Sequence, residues 1–260
     1  MSVPLHHTVD GPDGAPLLVL GPSLGTTGAI WQPQLDSLAR RFRVVRYDHR
    51  GHGRSPAPPG PYRLEDFGQD LLALLDTLGA DRVRLAGVSL GGAVAAWVAG
   101  HAPDRVERLA LLATSPRFGT PGLWADRAAA VRAGGTAAIA DTVVGRWFTP
   151  GFTARHAAVT AWTRQQLATT PAEPYAACCE ALAEADLTPA LPAVTAPTLV
   201  LAGAEDPVSP PEHARQLAAA LPDATVEVVP DAAHLLNVEQ PEPVSRILLD
   251  FFGDGAGYDR

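Results

Sequence analysis

The stretch Arg84-Leu-Ala-Gly-Val-Ser-Leu-Gly-Gly-Ala-Val-Ala-Ala-Trp-Val-Ala99 decides the fold. The run Val83 to Ala86 reads as a short buried strand, and the Ala/Val-rich run from Gly92 to His101 reads as a helix. Between them lies Gly87-Val88-Ser89-Leu90-Gly91, a G-x-S-x-G nucleophile elbow. A serine at its centre sits on a sharp strand-to-helix turn that presents the hydroxyl at the top of a sheet. Gly87 and Gly91 lack Cβ atoms, which lets strand and helix cross closely around that turn. The helix starts just past Ser89, so its unpaired N–H groups and positive dipole end point where negative charge would develop.

Outward from the elbow, strands and helices alternate. Leu17–Leu20 reads as a strand ending in Gly21-Pro-Ser-Leu-Gly-Thr-Thr27, and Trp31 to Arg40 has helical spacing. Phe42 to Tyr47 is a second strand, followed by the turn Asp48-His-Arg-Gly-His-Gly-Arg-Ser55 and a Pro-rich loop. An amphipathic helix runs from Leu64 to Leu78 with Glu65 and Asp66 in its first turn; a strand at Val106–Ala113 follows the elbow. This rhythm predicts an α/β fold with a mostly parallel, doubly wound sheet. Residues 115–191 break the rhythm with Ala/Arg/Trp-rich helical segments, which predicts a helical cap inserted into a core made of 1–114 and 192–260. The alternation resumes at Pro197–Ala202, with a helix at Glu212–Leu221, a strand at Thr225–Val229 and a last helix from about Pro243 to Phe252. From Gly253 a frayed tail is expected.

The chain has 260 residues, 47% of them hydrophobic, a net charge of −8, and every basic residue other than histidine is arginine. A mean hydropathy of +0.05 and a pI near 5.4 suit a soluble domain that binds neither nucleic acid nor an anionic membrane. No basic-then-apolar leader opens the sequence, so no secretory signal is expected. Cys178 and Cys179 are adjacent, a poor geometry for a structural disulfide and one that suits a reducing cytoplasm. Without lysine, Schiff-base, pyridoxal-phosphate and P-loop chemistry are excluded. No metal-binding spacing occurs either, so no metal or other cofactor is expected.

A serine hydroxyl needs a base to take its proton, and the base needs an orienting carboxylate. Asp206, in Gly203-Ala-Glu-Asp-Pro-Val208, and His234, in Asp231-Ala-Ala-His-Leu-Leu-Asn237, both follow strands and come after Ser89 in the order Ser, Asp, His. Glu205 and Asp48 are the weaker acid candidates. Of the remaining histidines, His49 and His52 lie in a tight turn, His101 at a helix end and His213 on a helix, while His6, His7 and His156 have no evident partner. A tetrahedral intermediate needs two donors, each worth about 3–4 kcal/mol. The N–H of Leu90 is one; the other falls in the Gly21–Thr27 loop, where Leu24 is preferred over Ser23, and Pro22 has no N–H to give.

On these residues the chain resembles the α/β-hydrolases and, among them, the 3-oxoadipate enol-lactonases. The resemblance rests on Ser23-Leu-Gly-Thr-Thr27, Trp31-Gln-Pro-Gln34, Asp48–Ser55 and the elbow. It extends to Arg146-Trp-Phe-Thr-Pro150, Tyr175-Ala-Ala-Cys-Cys-Glu-Ala181, Gly203–Asp206 and Ala233-His-Leu235. Pro22 and Pro174 depart from the family pattern. The resemblance implies cofactor-free opening of a small carboxylated lactone. A general esterase, a cofactor-free perhydrolase or haloperoxidase, a carbon–carbon bond hydrolase and a non-catalytic ligand-binding member of the fold remain open. Substrate choice is expected in the cap and the first loop, with Ser23, Thr26, Trp124, Arg132, Arg146, Trp147, Phe148 and Trp162 as candidates. The partner of a substrate carboxylate would have to be an arginine or a polar donor, because burying that charge unpaired is costly.

Overall fold

The computed structural model describes residues 2–253; the tail expected beyond Gly253 lies outside the described residues. Seven strands form one sheet in the order β1-β3-β2-β4-β5-β6-β7. They are β1 (His7–Asp10), β2 (Leu17–Gly21), β3 (Arg43–Tyr47), β4 (Val83–Val88), β5 (Val106–Leu112), β6 (Thr198–Gly203) and β7 (Ala224–Val229). All pairings are parallel except that of β1 with β3. β1 escaped the sequence reading because its four residues, His-Thr-Val-Asp, carry one aliphatic side chain and bury none fully.

The core helices are α1 (Gln32–Leu38), α2 (Leu64–Thr77) and α3 (Leu90–His101), followed after the cap by α9 (Pro211–Ala220), α10 (Leu236–Glu239) and α11 (Pro241–Phe252). α3 follows the elbow and is apolar on nearly all sides, as a helix wedged between the sheet and α2 must be. Its Trp97 ring lies against Gly68 of α2, where a Cβ would overlap it. The α2 N-terminus is closed by the Arg63 N–H donating to Asp66 Oδ2 at 2.8 Å.

The insertion holds α4 (Pro121–Gly134), α5 (Ala140–Val144), α6 (Pro150–Arg155), α7 (Ala157–Thr169) and α8 (Ala172–Glu184). Its two ends meet: Arg117 and Asp186 form an isolated antiparallel bridge with a 2.6 Å ion pair, and the Leu187 N–H donates to the Pro116 carbonyl at 2.9 Å. α4 and α8 pack against each other along the cap.

Sheet register positions the site. Strand order reverses between β3-β2 and β4-β5, the switch point at which open α/β sheets take ligands. Gly21, at the end of β2, lies opposite Gly87 of β4, which sets the loop after β2 beside Ser89. Gly203 lies opposite Val229, which likewise sets the Asp206 loop beside the His234 loop.

Candidate active site

Ser89 has φ 55° and ψ −113°, a left-handed conformation that costs a non-glycine residue of order 1–3 kcal/mol. Three bonds hold it there: its N–H donates to the Leu112 carbonyl at 2.9 Å, and its carbonyl accepts from the Ala93 N–H and the Thr114 hydroxyl, both at 2.9 Å. The glycines are sterically required. A Cβ on Gly87 would overlap the Gly91 carbonyl, and one on Gly91 would overlap the Gly21 carbonyl.

Asp206 Oδ2 lies 2.8 Å from His234 Nδ1, and both side chains are buried. Burial alone would raise the Asp206 carboxyl. The charge and hydrogen bond of His234, with N–H bonds from Val208 and Ser209, outweigh burial and hold it below the usual carboxylate range. An ionised carboxylate only accepts, so His234 Nδ1 carries a proton, and in the neutral imidazole the lone pair is then on Nε2. The histidine loop is fastened to the cap: Leu235 N–H donates to the Trp147 carbonyl at 3.0 Å. The buried Glu239 accepts from Ala233 N–H at 2.8 Å and Thr149 N–H at 3.0 Å. Glu205 is exposed, and Asp48 is engaged by the Gly28 and Arg54 N–H groups and by His6. Neither competes for His234.

Ser89 and His234 line one cavity, together with Ser23 and Leu24 from the loop after β2. Leu90 is the first residue of α3, where an N–H has no intrahelical acceptor. Among the described residues the N–H groups of Leu24 and Ser23 also have no partner. Gly91 N–H is occupied by the Pro22 carbonyl at 3.0 Å.

The cap closes the cavity with Trp124, Arg127, Val143, Arg146, Trp147, Tyr175 and Leu182. Of the expected residues, Trp124, Arg146 and Trp147 therefore wall it with Ser23. Four do not. Thr26 is buried and donates to the Ser23 carbonyl at 2.7 Å, shaping the loop from behind. Arg132 turns to the surface and is claimed by Glu173 and Glu180. Phe148 is buried against Phe152, ring centroids 4.9 Å apart. Trp162 is 41% exposed and borders a separate cleft with Thr27 and Gln166.

Two polar wall residues, Arg127 and Tyr175, were not among the expected substrate contacts. Arg127 is half-buried, stacks 4.8 Å from the Trp124 ring centroid and forms no ion pair among the described residues. Its i, i+3 spacing from Trp124 was a usable signal. Tyr175 is fully buried; its hydroxyl lies near Arg127 without completing a hydrogen bond to it. Burial pushes this phenol well above its ordinary pKa, so it stays a donor.

A sheet with a switch-point cavity, a strained serine elbow and a buried Asp–His pair define an α/β-hydrolase. The model of the alpha/beta hydrolase fold matches residues 16–241, and the chain belongs to that family. It is 40% identical to 3-oxoadipate enol-lactonase 2 of Acinetobacter baylyi over 92% of this chain and 90% of that one. The crystal structure of the enol-lactonase from Burkholderia xenovorans LB400 superimposes with a TM-score of 0.94 at 40% identity, covering 96% of each chain. A thermophilic esterase from Thermogutta terrifontis gives 0.88 at 33% identity over 95% of this chain and 92% of that one. Among the described residues no helix is long and apolar enough to cross a membrane.

Proposed function

We propose that this hydrolase opens a small carboxylated enol-lactone, 3-oxoadipate enol-lactone to 3-oxoadipate, through Ser89, His234 and Asp206. Ser89 Oγ attacks the lactone carbonyl while His234 Nε2 takes its proton. Asp206 keeps the imidazole in the Nδ1–H tautomer and stabilises the imidazolium. The N–H groups of Leu90 and Leu24 hold the tetrahedral oxyanion. The ring C–O bond breaks, and the leaving enolate takes the proton back from His234 before rearranging to the ketone. A water, deprotonated by His234, then cleaves the acyl-serine, and Ser89 recovers its proton. An enolate is a good leaving group, so side chains suffice.

Arg127 carries the substrate class. A half-buried guanidinium beside the serine, with no carboxylate of its own among the described residues, suits an anionic substrate. Arg132 shows the contrast: its two glutamates leave it no need of a ligand. Arg146, exposed at the rim, would add long-range attraction. The similarity to enol-lactonases over nearly the whole chain supports the same reading.

The test is a substrate panel with kcat/KM measured for the carboxylated enol-lactone and for neutral p-nitrophenyl acetate. The lactone is expected to exceed the ester by a hundredfold or more, and a fluorophosphonate should label Ser89. Equal turnover of both would make the protein a general esterase. No labelling and no turnover would make it a ligand-binding member of the fold.

A further inference from the structure

The turn Asp48–Ser55 does not touch the cavity, yet it grips the loop that carries Leu24. His52 is buried, and its ring bridges two backbone groups: Nε2 lies 3.0 Å from the Gly25 N–H and Nδ1 lies 3.1 Å from the Arg50 carbonyl. An N–H can only donate and a carbonyl can only accept. His52 is therefore neutral, with its proton on Nδ1 and its lone pair on Nε2. Burial, the largest influence on it, also favours the neutral ring.

The consequence lies in three consecutive peptide planes. The Pro22 carbonyl is fixed by His49 Nε2 at 2.9 Å and by Gly91 N–H at 3.0 Å. The Leu24–Gly25 peptide is fixed through its N–H by His52. The plane between them carries the Ser23 carbonyl and the Leu24 N–H on opposite sides, and its carbonyl is held by Thr26 N–H at 3.1 Å and Thr26 Oγ1 at 2.7 Å. With both flanks and the carbonyl tied, the Leu24 N–H has one direction left. Gly25, at φ +77°, allows the turn.

We propose that His52 is a positioning residue for catalysis: its neutral ring, acting through Gly25, sets the peptide plane that aims the Leu24 N–H at the oxyanion. This rests on the reading of Ser89 as nucleophile. Losing the acceptor strands a buried N–H and frees the peptide to rotate, so the effect falls on the transition state rather than on substrate binding.

Two variants separate this role from simple support of the fold. His52→Met keeps the volume and loses both polar functions; His52→Gln keeps an acceptor for Gly25 and a donor for Arg50. With p-nitrophenyl acetate, His52→Met is expected to lose tens- to hundredfold in kcat with KM within threefold. Inhibition by a short-chain alkyl trifluoromethyl ketone, whose serine adduct bears an oxyanion, should weaken by a similar factor. His52→Gln should recover most of both. A folded His52→Met with unchanged kcat and unchanged ketone affinity overturns the proposal. So does a loss that appears in KM alone. Independently of any variant, ¹⁵N shifts of the histidine rings in wild-type protein at pH 7 should show Nδ1 protonated and Nε2 bare in His52; the opposite tautomer overturns it. A wild type that neither turns over ester nor takes the fluorophosphonate would remove the Ser89 reading itself and this proposal with it.

Discussion

The Arg127 guanidinium lies 4.8 Å from the centroid of the Trp124 indole, on the wall of the cavity that Ser89 and His234 share. The cation–π contact holds the guanidinium at the cavity wall without consuming its N–H donors, which stay available to a carboxylate. Arg127→Met should therefore raise KM for the carboxylated lactone by tens-fold and leave p-nitrophenyl acetate within about twofold. Equal losses on both substrates would assign Arg127 to cap packing.

Tyr175 makes a second, independent arm of that expectation. Its buried hydroxyl is unsatisfied in the free protein, and a substrate oxygen would satisfy it. Tyr175→Phe keeps the ring against Gly25 and removes one hydrogen bond, worth about 0.5–1.5 kcal/mol. KM for the lactone should rise roughly three- to tenfold. An unchanged KM with a folded protein would show that no substrate atom reaches the hydroxyl.

Asp206→Asn tests the orienting carboxylate. An amide can donate to Nδ1, which moves the imidazole proton to Nε2 and leaves no base facing Ser89. The loss in kcat should be about 10³–10⁴-fold, and adding Ser89→Ala should cost little more than Ser89→Ala alone, because the groups act as a unit. Near-full activity in Asp206→Asn would send the acid role elsewhere.

Stability should fall on the acid side because of two neutral histidines. Burial and the neighbouring His52 lower the His49 pKa to about 3, while burial lowers that of His52. The unfolded chain titrates its histidines near pH 6.5 and so binds more protons than the native one below that value. Their contribution is complete above about pH 6.5 and drains away as pH falls toward the folded pKa values, by up to about 1.4 kcal/mol per pH unit for each. Asp206, held low, keeps its contribution until below about pH 4 and so adds no slope above it. Urea midpoints between pH 4 and 6.5 should decline, and His52→Gln should flatten the decline. A pH-independent midpoint over that window would contradict the buried, neutral assignment.

Gly91→Ala pits propensity against packing. Alanine favours a helix by about 1 kcal/mol over glycine. The new methyl would meet the carbonyls of Gly21 and Pro22, rigid backbone that also carries the Leu24 loop. Overpacking of this kind costs about 1–3 kcal/mol, so the variant should be less stable and should lose turnover together with stability. A stabilised, active Gly91→Ala would mean the elbow has slack.

The sequence by itself determined the parts of this protein that local physics governs. A strand, a glycine-flanked serine and a helix are recognisable in Val83–His101 because steric demands at Gly87 and Gly91 leave glycine as the one residue that fits. The α/β alternation and the helical insertion were legible because apolar periodicity encodes which face is buried. Asp206 and His234 were legible because each lies in the loop just after a strand of the same sheet. β1 was not, since four residues at an edge bury too little to leave a pattern. Tertiary structure alone decided the walls of the cavity. Arg127 and Arg132 lie on the same helix, five residues apart, yet one faces the serine and the other faces Glu173 and Glu180 across the surface. Trp147 and Trp162 part in the same way. Composition marks such residues as candidates, but the packing of α4 against α8 chooses among them. Nor does any local pattern reveal that His52 reaches back to Gly25: that contact exists only because β2 and β3 lie side by side in the sheet.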